Sequence, residues 1–527
     1  MQYLLGFIFL FLYFVNTAFS TKHALHMFQQ NRYELPRYLS WLHKRQFNYE
    51  DMIINVILAV LFIVAVFIEN ILLRIGYLTL VVIIKAVIQY NLERKKDYIK
   101  PLVYTARVKR QIITLLILNL LIIIGFWFIP NRFWSLAFLL GLYINWVLIV
   151  LMYYINQPME KMINEYYLKD ARRIINGIPS LKKIGITGSY GKTSTKNILD
   201  AVLSDTYYTL KTPLSYNTPM GITRTIREYL KPIHEVFICE MGADKVGEID
   251  YLTKFVKPHY GIVTSIGPQH LNTFLNMENI IKEKMLMIEN LPNDGIGFIN
   301  MDNRFIREYH IKNKCKLVKY GIKSKDVDYY VEDIKYHPQG STFVIVDQEG
   351  KQYSFSTKLL GEHNIMNILV AVAVGRELDI SWETLQKTIS NLDHIEHRLQ
   401  LKKINGYTFI DNAFNSNPEG AAMSLEVLSR MENKRFIITP GMIDLGERQD
   451  DANREFGKQM FGKVDYVILV GKSQTATILE GLYESGFPSE VIQVVDTVKE
   501  AFDIVYQLAT PLDTILLEND LPDAFNR

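Results

Sequence analysis

The chain has 527 residues, with 58 Lys and Arg against 55 Asp and Glu for a net charge of +3. That length exceeds what one hydrophobic core supports and implies about three units, while the near-zero charge argues against nucleic acid as the main partner. The two cysteines, Cys239 and Cys315, have no partner at metal-ligand spacing, which argues against a disulfide framework or a zinc site.

Nearly all long apolar runs precede residue 157, at 3–19, 52–70, 75–91, 112–129 and 133–155. Each approaches the roughly 20 residues that cross a bilayer, so residues 1–156 read as a transmembrane region of about five helices whose partner is the membrane lipid bilayer. The first run lacks the positive leader of a signal peptide and reads as an uncleaved helix. Pro130 and Asn131 mark a turn between the last two. Lys22, Arg32, Arg37, Lys44 and Arg45 crowd the 20–51 loop, and Arg94, Lys95, Lys96, Lys100, Arg107, Lys109 and Arg110 the 92–111 loop. Positive charge marks cytoplasmic loops, which predicts a multi-pass plasma-membrane protein with its N-terminus outside and everything after residue 156 in the cytoplasm. Lys85, inside the third run, and Arg74, just before it, read mainly as snorkelling side chains, with contact to a lipid phosphate as the lesser reading.

Residues 157–180 are charged and amphipathic, a linker helix ending by Gly177 and Pro179. Short β-rich runs then alternate with helical stretches at 183–187, 236–240, 261–265 and 297–300. Residues 327–358 read as antiparallel strands with turns at Gly340 and Glu349-Gly350, and a helix follows at 364–378. A second α/β pattern has strands near 407–411, 436–439, 466–470 and 514–517. The expected domains are a central α/β domain at 181–395, with a parallel sheet and a phosphate-binding loop, and a smaller Rossmann-like α/β domain at 396–527.

Residues 184–195, Ile-Gly-Ile-Thr-Gly-Ser-Tyr-Gly-Lys-Thr-Ser-Thr, carry that loop. Gly188 and Gly191 let the backbone turn so that the N–H groups of the segment through Ser189 and Ser194 meet phosphate oxygens. Lys192 neutralises the terminal phosphates and Thr193 reaches Mg²⁺. Ile186 stands where the strict motif has its first glycine, and the plain alternative is a glycine-rich turn with a surface lysine. At the carboxyl ends of later strands, where ligands of parallel sheets gather, Glu240 and His270 are sensible direct or water-mediated Mg²⁺ ligands.

The sequence resembles the Mur ligases over about residues 183–520, through blocks that run in order. These are Thr-Gly-Ser-Tyr-Gly-Lys-Thr (187–193), Ser-Tyr-Asn-Thr-Pro-Met-Gly (215–221), Glu-Met-Gly-Ala (240–243), Gln-His-Leu (269–271), Gly-Glu-His-Asn-Ile-Met-Asn (361–367) and His-Arg (397–398). Asp-Asn-Ala-Phe-Asn-Ser-Asn-Pro (411–418) and Gly-Met-Ile-Asp-Leu-Gly-Glu (441–447) close the series and look most like the branch adding D-alanyl-D-alanine. The resemblance implies ATP and Mg²⁺ as cofactors. Lys192 and Thr193 would hold phosphates and metal, with Asn217, Glu240 and His270 completing the site. Lys284 falls where the family has a carbamylated lysine; the alternative is a solvated helix lysine beside Lys282 and Glu283. Asn364 and Asn367 would lie near adenine, Arg398 near the γ-phosphate and Asp411 near the ribose and hinge, with His363 and His397 as structural neighbours.

The implied reaction joins the amine of an amino acid or peptide to a carboxylate through an acyl phosphate. The apolar region stands where the family has its UDP-binding domain, which favours an envelope-precursor acceptor at the membrane surface, such as a lipid-linked saccharide or a polymer. The segment 516–523 departs from the family's Lys-Gly-Ser pattern and leaves the amine open. A poly-amino-acid synthase of the same superfamily is the near alternative. A transport ATPase would show internal repeats, and none is visible; a catalytically dead scaffold is opposed by Lys192, Glu240, His270 and Lys284.

Overall fold

The computed structural model describes residues 2–46, 49–94, 101–126, 134–337, 340–393, 399–413, 418–443, 445 and 448–519. The chain forms two compact units, Met1–Tyr166 and Tyr167–Arg527.

The first unit is helical: α1 (Gln2–Gln30), α2 (Leu35–Gln46), α3 (Tyr49–Val64), α4 (Ile71–Arg94), α5 (Ala106–Phe126) and most of α6 (Trp134–Asn176). Its apolar interior has two clusters that share α1. Tyr13 packs with Leu58, Phe62, Leu78 and Val82 of α3 and α4, and Phe28 packs with Tyr38, Val108, Leu115 and Ile149 of α2, α5 and α6. Large apolar side chains also face outward, among them Phe7, Phe11, Ile57, Leu73, Ile117, Leu121 and Val147. Of the five expected spans, the described residues give two helical stretches long and apolar enough by length and composition, Ile71–Ile88 and Ala106–Gly125. The last apolar run and the expected linker helix at 157–180 form one continuous helix. Helix α6 runs through Pro158 to Asn176 and stops at Gly177, whose N–H bonds back to Arg173 and Ile174. A proline deletes one helical hydrogen bond without ending a helix that packing holds on both sides.

The second unit contains two sheets. The first is built from β1 (Lys182–Thr187), β2 (Thr209–Lys211), β3 (Val236–Glu240), β4 (Tyr260–Val263), β5 (Ile296–Asn300), β6 (Lys316–Gly321), β7 (Tyr329–His337), β8 (Gly340–Val346) and β9 (Gln352–Thr357). Their order is β2-β3-β1-β4-β5-β6-β7-β8-β9, parallel as far as β7 and antiparallel beyond. β2 and β6 were not legible as strands: β2 has three residues, and Lys316 and Lys319 break the apolar pattern of β6. The connections are α7 (Lys192–Ser204), α8 (Pro219–Tyr229), α9 (Glu248–Val256), α10 (Leu271–Phe274), α11 (Met277–Glu289) and α12 (Arg304–Arg307), with α13 (Glu362–Glu377) and α14 (Trp382–Ser390) after the hairpins. One face of the sheet packs on α7, α13 and α14 through residues such as Leu199, Phe298, Ile368 and Leu385. The other packs on α8, α9 and α11 and takes in Ala171, Ile175 and Leu181.

The second sheet has β10 (Gln400–Ile404), β11 (Tyr407–Asn412), β12 (Arg435–Thr439), β13 (Tyr466–Val470), β14 (Ile492–Val495) and β15 (Thr514–Glu518), with α15 (Pro418–Ser429), α16 (Gln449–Gln459), α17 (Ala476–Glu484) and α18 (Val498–Leu508). The order is β10-β11-β15-β12-β13-β14, with only β10 antiparallel. Both sheets of the two α/β domains are thus predominantly parallel, and β1, β3 and β4 lie side by side so that their carboxyl ends converge on the loop after β1.

Candidate active site

The loop between β1 and α7 turns at Gly188, with φ +150°, and at Gly191, with φ +82°. A Cβ on Gly188 would stand 2.1 Å from Thr264 Oγ1 and 2.9 Å from the Ser265 carbonyl, so the tight turn depends on glycine. Gly188→Ala is expected to destabilise the domain by about 2–6 kcal/mol, combining ~1–3 for backbone strain with ~1–3 for overpacking; denaturant unfolding measures it. The Lys192 ammonium donates to the carbonyls of Gly188 at 2.6 Å and Ser189 at 2.9 Å, across the mouth of the loop. The first turn of α7 directs its N–H groups and the positive end of the helix to the same place.

Glu240, the last residue of β3, is the hub of the site. Its carboxylate accepts hydrogen bonds from Thr193 Oγ1 at 3.1 and 3.2 Å and from Asn217 Nδ2 at 3.0 Å, and pairs with Lys196 Nζ at 2.9 Å. Glu240 and Lys196 are each 1% exposed. Asn217 is held there because Gly242 has no side chain: a Cβ would come within 2.8 Å of the Asn217 amide, and Gly242 N–H donates to the Asn217 carbonyl.

Lys284 is not a solvated helix lysine. It is 1% exposed, its Nζ donates to the Ala243 carbonyl at 3.1 Å, and it lies 5.6 Å from the centroid of the Phe274 ring. Lys282 faces solvent and pairs with Glu278. Burial, assisted by repulsion from Lys192, brings the Lys284 amine down to about 7, against the opposing attraction of Glu283, Asp244 and Glu248. His270, left-handed with φ +54°, stands 3.8 Å from Asp244. Among the described residues no three His, Cys, Asp or Glu side chains gather as a metal site. The oxygen donors of Thr193 and Glu240 nonetheless suit Mg²⁺, which is held by one or two protein oxygens with substrate phosphates and water.

Beside the loop lies a cavity of about 900 Å³ lined from both domains by Tyr190, Ser194, Met366, Asn367, Asn412 and Met423, among others. Asn367 accepts a hydrogen bond from Thr195 Oγ1 at 3.0 Å, and its buried Nδ2 has no partner. A buried donor without a partner costs stability, and here it is a ready contact for a polar ring. Three expected residues are placed elsewhere. Ser189 exchanges hydrogen bonds with the backbone of Gly267, and its N–H donates to Ser265, so neither group is directed at a phosphate. Asn364 donates to the Leu360 carbonyl and does not line the cavity. Asp411 pairs with Lys402 at 2.6 Å and does not line the cavity either, whereas the next residue, Asn412, does. His363 contacts Met423. Arg398 and His397 lie outside the described residues.

Residues 186–375 match the Mur ligase middle domain, and residues 397–518 match the Mur ligase glutamate ligase domain. The chain belongs to the Mur ligase family. It is therefore an ATP-dependent ligase that forms amide bonds. The UDP-N-acetylmuramoyl-tripeptide–D-alanyl-D-alanine ligase of Bacillus subtilis is 29% identical over 339 residues, covering 64% of this chain and 72% of that one. The Escherichia coli ligase of the same name is 24% identical over 61% of this chain and 73% of its own. In fold, the crystal structure of MurF ligase from Thermotoga maritima in complex with ADP matches with a TM-score of 0.61 at 23% identity, over 69% of this chain and 81% of that one.

Within this Mur ligase the structure gathers Lys192, Thr193, Asn217 and Glu240 at the loop, with Lys284 buried behind Ala243. Two participants were not singled out from the sequence, Lys196 and Asn412. The only signal for Lys196 is its spacing: four residues after Lys192, it occupies the same face of α7 one turn further on.

Proposed function

We propose that this chain is a membrane-anchored ligase that uses ATP to join the amine of an amino acid or peptide to a carboxylate of a peptidoglycan precursor, with its catalytic domains in the cytoplasm. The observation that carries the reading is Glu240, at which Thr193, Asn217 and Lys196 converge beside the phosphate-binding loop. The acceptor carboxylate attacks the γ-phosphorus of ATP, the bond to the bridging oxygen of ADP breaks, and an acyl phosphate forms. The amine then attacks the acyl carbon, phosphate leaves with the electron pair, and the ammonium proton passes to solvent or a base. Lys192 and the first N–H groups of α7 offset the charge that develops on the phosphoryl oxygens. Thr193 and Glu240 would hold Mg²⁺, which when bound spreads phosphate charge. Lys284 would serve as a carbamate: with its pKa brought to about 7 by burial, the free amine is available to CO₂, forming an N–C bond with loss of a proton and presenting an oxygen anion in place of a cation. Arg398 is assigned to the γ-phosphate from the motif alone.

The membrane setting is supported by the outward-facing apolar side chains of the helical unit, a surface that in water would be a large liability, and by the basic stretches at 20–51 and 92–111, the first of which is mostly helical rather than the expected loop. It favours a lipid-linked acceptor over the UDP-linked one in the relatives' names. ADP release by the detergent-purified protein, with matched UDP-linked and polyprenyl-linked acceptors and a panel of amino acids and dipeptides, tests this. Turnover with the polyprenyl-linked acceptor is expected to exceed that with the UDP-linked form at least ten-fold. Equal turnover reduces the helices to an anchor.

A further inference from the structure

The helical unit contains a polar cavity that the ligase chemistry does not use. It encloses about 190 Å³ and is lined by Tyr33, Arg107, Gln111, Asn156, Glu160 and Lys161, with neighbours on α6. Two polar ladders at helical i, i+4 spacing face each other: Arg107 and Gln111 on α5, and Asn156 and Glu160 on α6. Their contacts are partly closed. Arg110 pairs with Glu160 at 2.7 Å, Arg107 stands 3.7 Å from the same carboxylate and 4.1 Å from the Tyr33 ring centroid, and Thr114 donates to Asn156 Oδ1 at 3.0 Å.

Two buried polar atoms at the cavity have no partner, Gln111 Oε1 and Asn156 Nδ2, and Arg107 Nε makes no hydrogen bond although it stands 3.7 Å from the Glu160 carboxylate. Gln111 is 2% exposed and Asn156 4%. Buried polar atoms are satisfied in the great majority of cases, so two at one cavity call for something that supplies an acceptor and a donor. Among the lining residues Arg107 and Lys161 outweigh Glu160 in charge, and Glu160 is already paired with Arg110, which selects an anion. The volume, roughly six waters at ~30 Å³ each, admits a phosphate and its first substituent. Later on the same helix, Ile113, Ile117, Leu120 and Leu121 are exposed, an apolar surface of α5 for a hydrocarbon chain.

We infer that this cavity binds the phosphate headgroup of a lipid, with the hydrocarbon chain lying along α5. The inference rests on the membrane setting put forward above, and binding is measurable without turnover. The full chain in detergent, free of nucleotide, is titrated with radiolabelled farnesyl phosphate, with farnesol and inorganic phosphate as competitors. Saturable binding is expected, displaced by unlabelled farnesyl phosphate and by neither competitor at equal concentration. Arg107→Gln and Asn156→Leu should each weaken it at least ten-fold, Arg107→Lys should retain it within about three-fold, and Lys192→Ala should leave it unchanged. Unaltered binding in Arg107→Gln and Asn156→Leu overturns the site, as does equal loss in Arg107→Lys and Arg107→Gln. Displacement by inorganic phosphate as readily as by farnesyl phosphate overturns the lipid. Intact binding with no acceptor-dependent turnover would instead count against the ligase reading alone.

Discussion

Glu240→Ala is expected to abolish acceptor-dependent ADP release and to lower stability by about 3–5 kcal/mol, the usual effect of removing one partner of a buried ion pair. The carboxylate is the common acceptor for Thr193 and Asn217 and the counter-charge of Lys196, with both ionic partners 1% exposed. Without it the Lys196 ammonium stays buried with the Leu214 carbonyl as its remaining hydrogen-bond acceptor. The two effects separate in the double variant Glu240→Ala/Lys196→Met, which no longer strands a charge and should recover most of the stability while remaining inactive. Denaturant unfolding and ADP release measure both; a stable single variant would show that the pair does not hold the loop against β3.

Lys284→Met is expected to do the opposite to stability while also abolishing turnover. With the folded amine at about 7 against its ordinary 10.5, the unfolded chain carries a proton between those values that the folded chain lacks. Stability therefore rises with pH across that window, and the full penalty applies below about pH 7. At 1.36 kcal/mol per unit that penalty is on the order of 5 kcal/mol as an upper bound. In CO₂-free buffer the methionine variant should be the more stable below pH 7 and should lose the slope between 7 and 10.5. Bicarbonate should raise wild-type turnover after CO₂ depletion, and a short carboxylic acid should restore part of the activity of Lys284→Ala. Full activity of Lys284→Met would remove the residue from the mechanism.

The parallel strands and the phosphate loop were legible because both are local: apolar runs of strand length end at Gly188 or Glu240 and restart with helical spacing. Lys196 was not legible. A lysine on a helix reads as solvated until β3 is known to lie beside β1, which brings Glu240 under it from 44 residues away. The choice between Asp411 and Asn412 shows the same limit, since neighbours on a strand face opposite sides and only the sheet decides which side meets the cavity. Lys284 was identified through a family resemblance; its burial against Ala243 and Phe274 gives the physical reason that spacing alone lacked. In the helical unit, hydropathy located the apolar stretches of α4 and α5 but passed over the i, i+4 polar ladders of α5 and α6, which sit at the margins of apolar runs.

The most direct test of the ligase chemistry is oxygen transfer. With the acceptor carboxylate labelled with ¹⁸O, turnover in the presence of ATP and the amine should deliver one labelled oxygen to each inorganic phosphate released, because phosphate departs carrying the carboxylate oxygen that attacked ATP. Unlabelled phosphate, released at the same rate whether or not amine and acceptor are present, would contradict the account and leave an ATPase in its place.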